Sequence, residues 1–370
     1  MRTDYVIVGS GLTGAVIARR LADAGHRVVV LERRGHVAGN VADFWHPSGI
    51  QVHRYGPHLF RTNSKAIWEF VTRFATFHPY RHQIRSRVDG ALENWPIAAS
   101  YIRRLCGPDW QPAEPDGRPA NFEQAALQLM PRPIYEKFVK PYTEKQWGVP
   151  AESLAAGLCK RFDVREDDNP YLTPNHKHQG IPTDGYSTMV QRMLAGIPVV
   201  LNFDYLRDRD AFRPNQLLVF TGPIDEYFRY ELGRLAYRGQ RREHRYLGDA
   251  DWVQPCGQVN NPGQGAHIRQ IEWKHMMRPD CAGRIHGTVV TREIPWTPDT
   301  ADACEYPFPS DEYRTLYQQY RAMAEEEPRL LICGRLGEYQ YYDMDHAIGR
   351  AMMLATQILT QAPLSTRAAA

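Results

Sequence analysis

The chain has 370 residues, 43% of them apolar, so it has the material for sizeable cores and is neither a disordered chain nor a fibre. Its 45 Lys and Arg against 42 Asp and Glu leave a net charge of +3, too even for a nucleic-acid binder recognised by charge alone. No apolar run approaches the ~20 residues of a membrane span. The opening Met1-Arg2-Thr3-Asp4 enters a strand-like run with no room for a signal peptide, and the cysteines form no C-x-x-C pair. A cytoplasmic chain without a disulfide framework or zinc knuckle is expected. Only 7 of the 45 cations are Lys, leaving 38 Arg, a bias that a GC-rich genome explains and that also suits phosphate-gripping guanidinium forks.

Tyr5-Val6-Ile7-Val8 is apolar without alternation, the pattern of a parallel strand covered on both faces. It runs into Gly9-Ser10-Gly11-Leu12-Thr13-Gly14, then a helical stripe through Leu12, Ala15, Val16 and Leu21 that closes at Gly25. A second apolar run, Val28 to Leu31, ends at Glu32, which lies 18 residues past Gly14. In a dinucleotide-binding unit each piece has a mechanical task. Gly9 permits the tight turn, Gly11 lets the backbone approach a pyrophosphate, and Gly14 allows the helix to pack closely on the strand. The helix N-terminus offers unpaired N–H groups to the phosphates, and Glu32 accepts hydrogen bonds from a ribose diol. Arg33 beside the acid would suit the extra phosphate of NADP. The basic loop from Glu32 to Gly39-Asn40, in a unit at the very start of the chain, favours FAD.

Further along, Ile67, Phe70, Val71 and Phe74 mark a helix capped near Asn63 or Ser64. Pro108 to Pro119 reads as a loop, and helix resumes from about Asn121 to Val139. A turn at Gly180-Ile181-Pro182 precedes a short helix after Ser187 and a strand around Val199 to Leu201. Leu217 to Phe220 is another buried-type strand. Mixed polarity over 266–275 and 284–294 suits an antiparallel sheet with one exposed face. Tyr313, Leu316, Tyr317 and Tyr320 define a helix. Leu330 to Cys333 is a last strand, and Ala347, Ile348, Ala351, Leu354 and Ala355 line a closing helix. Arg238, Arg241, Arg242 and Arg245 form a basic run without the interleaved aromatics of a single-strand binder and read as a solvated loop. Asp343-Met344-Asp345-His346 places acids at a helix start, where the dipole favours them, and His176-Lys177-His178 has no partner cluster, so no metal site is expected.

The whole is read as an α/β (α+β overall) chain. A discontinuous Rossmann-like FAD-binding domain takes residues 1–75, 180–225 and 328–362. A helical insertion takes 95–160, and an antiparallel sheet carrying substrate contacts takes 76–94 and 226–327.

Motifs spread over nearly the entire chain resemble the UDP-galactopyranose mutase family. They are the N-terminal fingerprint with Gly39-Asn40, Tyr55-Gly56-Pro57-His58-Leu59-Phe60, Asn94-Trp95-Pro96, Tyr142-Thr143-Glu144-Lys145-Gln146-Trp147-Gly148, and Gln179-Gly180-Ile181-Pro182 with Gly185-Tyr186. The match continues through Phe220-Thr221-Gly222-Pro223-Ile224-Asp225, Arg269 with Glu272 and Lys274-His275, Val290-Thr291-Arg292-Glu293, Gly334-Arg335-Leu336-Gly337-Glu338-Tyr339, and Tyr341-Tyr342-Asp343-Met344.

The resemblance implies an isomerase that uses reduced FAD to interconvert UDP-galactopyranose and UDP-galactofuranose with no net redox change. The flavin N5 attacks the anomeric carbon, UDP leaves, and the ring reopens and recloses through another hydroxyl. It implies an NAD(P)H or reductase electron source and a homodimer. By the same resemblance Arg165, on a mobile lid from Arg161 to Asn169, and Arg269 hold the diphosphate, while Tyr142 and Trp147 bind the uridine end. Tyr306 and Tyr341 donate hydroxyls to phosphate oxygens, and Arg335 and His58 stand beside the flavin. Thr221, Gly222, Asp343 and Met344 belong with the cofactor. Asn94, Tyr171, His178 and Glu293 line the substrate site.

The chain departs from the family at four positions: Arg61 replaces a second histidine, His178 an aromatic, and Glu93 and Trp95 residues of the family's Phe-Asn-Leu-Pro. These changes make a different or modified sugar nucleotide an alternative substrate. A flavin oxidase or monooxygenase would not need the diphosphate grip. A non-catalytic binding protein of the kind resembled by Rab-escort-type dissociation inhibitors would not need the fingerprint.

Overall fold

The protein is described here by a computed structural model covering residues 3–110, 117–162 and 164–361; residues 111–116 of the expected Pro108–Pro119 loop, and the ends of the first and last expected segments, lie outside them. Five parallel strands form one sheet in the order Val199–Val200, Val28–Leu31, Tyr5–Val8, Leu217–Phe220, Leu330–Ile332. The absence of alternation has its cause here. Ile7, Val30 and Val219 face one core with Ala15, Val16, Ile348 and Ala351 from the helices Leu12–Asp23 and Met344–Thr360. Val6, Val29, Leu218 and Phe220 face the other, with Tyr205 and Tyr227. Each fully buried aliphatic side chain is worth roughly 1.5–3 kcal/mol of transfer free energy, so both faces of these short strands demand cover. The helix Lys65–Thr72 is capped at Ser64, whose hydroxyl accepts from the Ile67 N–H at 3.3 Å.

All five parallel strands end at the same edge. Their carboxyl ends lead into Gly9, Glu32, Thr221 and the Cys333-Gly334-Arg335 turn, which brings loops from both ends of the chain to one crevice.

A seven-stranded sheet stands across that crevice, in the order Tyr306–Pro307, Tyr237–Leu247, Thr288–Trp296, Arg269–Glu272, Gln258–Asn260, Ile84–Val88, Ala91–Trp95. Its neighbours pair antiparallel except Gln258–Asn260 with Ile84–Val88, which run parallel. That pair is separated by the whole helical insertion, the long crossover a parallel pairing needs. The insertion has its own core of Phe122, Ile134, Tyr135 and Phe138, which reaches Val88 and Trp95 at the sheet's edge.

The structure corrects the reading of the basic run. Arg238 and Arg242 lie on the strand Tyr237–Leu247 with side chains buried, while Arg241 and Arg245 alternate outward. Arg238 donates to the Gln146 carbonyl at 2.8 Å and to the Thr297 hydroxyl at 2.6 Å. Arg242 is neutralised by carboxylates. A strand buried on one face accepts cations there only with partners.

Candidate active site

A cavity of about 390 Å³ runs from the glycine turn to the face of the second sheet. At the glycine end Gly9 has φ +103°, and a Cβ on it would lie 2.1 Å from the Thr221 hydroxyl, which donates to the Val8 carbonyl. Opposite, Gly39 (φ +53°) faces Gly11 so closely that a Cβ would fall 2.8 Å from the Gly11 Cα. Two backbone loops thus meet with no side chain between them, a cradle that fits a pyrophosphate passing over the start of the helix Leu12–Asp23. Gly14 does not line the cavity; a Cβ there would strike the Gly9 carbonyl at 2.0 Å, so its task is helix-to-turn packing.

Glu32 is buried. One carboxylate oxygen accepts from the Ser10 N–H and hydroxyl at 2.9 and 2.6 Å, the other from the Arg34 N–H at 3.0 Å. Arg33 is held bidentate by Glu226 at 2.9 and 2.8 Å and reaches Asp302 at 3.0 Å, and Arg34 binds Asn40 at 3.0 Å. With both cations engaged by protein groups, no free guanidinium stands here for a 2′-phosphate among the described residues. Phe203 and Leu206 add an apolar wall at this end that sequence reasoning missed; their segment has no motif.

At the middle of the cavity Arg335 lies 4.8 Å from the Tyr306 ring and 4.2 Å from the Tyr341 ring, and those rings stack at 5.4 Å. Its Nε and one terminal nitrogen are buried without a hydrogen-bond partner among the described residues. An unpaired buried guanidinium is costly, so these atoms are built for an anionic or carbonyl-bearing ligand. His58 donates from Nδ1 to the Gly56 carbonyl at 2.8 Å, because a carbonyl only accepts, and that leaves Nε2 as the bare nitrogen. Burial, then the neighbouring His53, pushes its pKa down to about 3, so the ring is neutral. Asp343 occupies the N-cap position of the helix Met344–Thr360 without a side-chain cap bond and pairs with Arg61 at 2.8 Å; both line the cavity beside Met344.

At the far end Arg269 and Tyr306 enter from the second sheet, with the Tyr142 hydroxyl beside Arg269. Burial opposes the Arg269 charge, but Glu293 outweighs it and keeps the guanidinium protonated. Arg161, the last residue of the short helical segment Ala156–Arg161, lies 3.4 Å above the Tyr341 ring, a cation the motifs did not single out. His82 and Gln258 line this end and were also missed; a lone histidine between polar neighbours carries no signal. The His82 ring faces Gln258, its Nε2 has no hydrogen bond of normal geometry among the described residues, and burial drives its pKa down to about 3.

Several expected substrate residues are not brought to the cavity wall. Trp147 is buried in the helical core, edge-on to Phe308 at 5.7 Å, which leaves no exposed ring for a base to stack on. Arg165 donates to the Asn169 and Leu172 carbonyls at 2.9 and 3.1 Å, within its own loop. Tyr171 lies under Arg81, His178 stacks on Trp68 at 4.9 Å, Asn94 sits on the edge hairpin, and Glu293 is buried behind Arg269. Among the departures, Glu93 pairs with Arg104 at 3.1 Å and Trp95 packs on Phe162 at 5.7 Å, so neither reshapes the cavity; Arg61 does line it. Among the described residues no cluster of metal-ligating side chains occurs, and no helix is long and apolar enough to cross a membrane.

Comparison with known proteins agrees with this geometry. Residues 137–341 match the family model described as UDP-galactopyranose mutase, and 7–74 match an NAD(P)-binding Rossmann-like domain. A probable UDP-galactopyranose mutase of Klebsiella pneumoniae is 33% identical over 96% of this chain and 95% of its own length. The chain belongs to the UDP-galactopyranose mutase family. It is therefore an isomerase-family enzyme on a flavoprotein fold. A dTDP-fucopyranose mutase of Escherichia coli is 30% identical over 95% of this chain and 97% of its own. In fold, the crystal structure of a reduced UDP-galactopyranose mutase superposes with a TM-score of 0.79 at 14% identity, covering 100% of this chain and 95% of that one.

Proposed function

We propose that this mutase interconverts the pyranose and furanose forms of UDP-galactose on reduced FAD with no net redox change. The observation that carries the reading is one cavity holding a side-chain-free glycine cradle at one end and Arg335, Tyr306, Tyr341 and Arg269 toward the other. Gly9, Gly11, Gly39 and Glu32 would hold the pyrophosphate and ribose of FAD, with Thr221, Gly222, Asp343 and Met344 along its length. When bound and reduced, the flavin supplies the nucleophile for the anomeric carbon.

The chain's own groups then divide the work. Arg335 offers two unpaired N–H donors in a half-buried setting, where a fixed cation stabilises negative charge strongly. Arg269, Tyr306 and Tyr341 grip the diphosphate, which stabilises the leaving group as its bond to the sugar breaks. The bare Nε2 of neutral His58 accepts a hydrogen bond at neutral pH and carries no charge to repel a cation. Arg165 and Arg161 lie on the segment that would close over the substrate and exclude water. The same reading includes an NAD(P)H or reductase electron source, a cytoplasmic setting and a homodimer, the last tested by light scattering on the purified protein.

A second reading is the same ring contraction on another sugar nucleotide. It is favoured by Arg61 and the unsatisfied His82 at the cavity wall. The deciding experiment incubates the purified, FAD-loaded protein with UDP-galactofuranose, with and without dithionite, and separates the products. Conversion to UDP-galactopyranose only under reduction is expected. A reducible yellow protein that leaves UDP-galactofuranose intact but converts a dTDP-linked 6-deoxyhexofuranose establishes the second reading. A protein unable to take up FAD overturns both.

A further inference from the structure

Arg242 is the centre of a buried charge row directly behind the far end of the cavity. Across the second sheet Arg242 faces Glu293, and Glu293 faces Arg269, each in direct register. The Nε of Arg242 donates to one Glu293 oxygen at 2.9 Å; the other oxygen accepts from the Nε of Arg269. Both terminal nitrogens of Arg242 grip Glu305 at 2.8 and 2.7 Å, and one also donates to the Gln240 carbonyl at 3.1 Å. The side chains of Arg242, Glu293 and Glu305 are 6%, 0% and 8% exposed. Arg242 does not line the cavity, so it is no ligand.

Three groups that do line the cavity depend on it. Arg269 is reached through Glu293. Tyr306 is the residue after Glu305. His58 is reached through Gly56, where a Cβ would lie 2.6 Å from a Glu293 oxygen and 3.2 Å from an Arg242 nitrogen, and whose carbonyl accepts the His58 Nδ1–H hydrogen bond. The carboxylate of Glu293 has two oxygens and a natural preference for a two-pronged guanidinium grip. With one oxygen occupied by Arg242, Arg269 is restricted to a one-nitrogen contact. Without Arg242, both oxygens would be open to Arg269, and the guanidinium would turn inward onto them.

We propose that Arg242 is a positioning residue: by occupying one oxygen of Glu293 it keeps the terminal nitrogens of Arg269 available to the cavity for the substrate diphosphate. The proposal rests on reading Arg269 as a diphosphate-holding group. A fully packed, charge-neutral alternative to such a row is often as stable, so the row is explained better by placement than by stability.

The test uses the charge-balanced double variant Arg242→Gln/Glu305→Gln, because Arg242→Gln alone strands a buried carboxylate; Arg242→Lys is the second variant should the double fail to fold. FAD content, UDP affinity by calorimetry, steady-state constants with UDP-galactofuranose under reduction and a crystal structure are measured for each. The expected result is parental FAD content, UDP affinity and KM weakened about tenfold with a much smaller change in kcat, and Arg269 bound to Glu293 by two nitrogens. UDP affinity within about twofold of the parent, with Arg269 still in its one-nitrogen contact, overturns the proposal. Arg269→Ala serves as the control. If it leaves UDP affinity unchanged, the diphosphate reading of Arg269 falls, and the position of Arg269 in the variant crystals still decides the role of Arg242.

Discussion

Arg335 packs against two stacked aromatic rings with two buried donor nitrogens unmatched, so substituting it separates charge from packing. Arg335→Met keeps an unbranched side chain against Tyr306 and Tyr341 and removes the charge. Loss of one preorganised donor set at a reacting centre costs about 3–4 kcal/mol, so turnover under dithionite should fall by roughly 10²–10³ while FAD content stays near the parent's. Turnover within about threefold of the parent would remove Arg335 from the chemistry. Histidines make a second residue-level prediction. Burial holds His53 at about 4 and His58 and His82 at about 3, against about 6.5 unfolded. Because the unfolded state binds more protons between those values, stability is complete above pH ~6.5 and declines as pH falls through that window, by about 1 kcal/mol per pH unit for each independent group. Urea midpoints should therefore drop between pH 6.5 and 5, above the range where most carboxylates titrate. His82→Gln should make that slope shallower; an unchanged slope would show that His82 titrates in the native state as it does in the unfolded chain.

At the scale of elements, the cofactor reading depends on two loops touching backbone to backbone. Gly39→Ala places a methyl group 2.8 Å from the Gly11 Cα, in a left-handed conformation that already disfavours a side chain. The cradle must open, and the purified variant should have lost its flavin absorbance, with far-ultraviolet dichroism unchanged; retention of FAD at the parental ratio would show that the pyrophosphate passes elsewhere. The glycines, Glu32 and the unalternating strands were legible because each reports a local backbone need or burial on two faces within a few residues. The closing helix was legible for the same reason, through its apolar stripe. Arg242 was not. Its burial is decided by Glu293 and Glu305, more than 50 residues away, and a strand whose exposed and covered faces both carry arginine has no visible polarity pattern. Trp147 failed in the opposite direction: a motif aromatic invites a ligand, while the insertion's core absorbed it. Arg161 and His82 became site residues only when distant segments closed around one cavity.

The whole molecule closes its cavity with segments from both termini and the middle. Strands at 5–8, 28–31, 199–200, 217–220 and 330–332 share one sheet, and Gly9, Arg269 and Arg335 meet one space. In an unfolded chain no such site exists, so a dinucleotide that binds here stabilises the assembled molecule by mass action, about 2.7 kcal/mol at a hundredfold excess over its Kd. Near the melting temperature the unfolding entropy of a chain this size converts that to a rise of roughly 3–4 °C. Calorimetric scans with increasing FAD should show a midpoint that climbs with the logarithm of its concentration. Hydrogen exchange then asks which parts are held. Ligand contacts confined to the glycine unit would protect amides around Gly9 to Asn40 alone. The cavity described here requires added protection also around Arg335 and the start of the helix Met344–Thr360, because those residues line the same space from the other end of the chain. Protection restricted to the first 40 residues would mean that the cofactor occupies only the N-terminal unit, and the closing helix would then serve the sheet rather than the site.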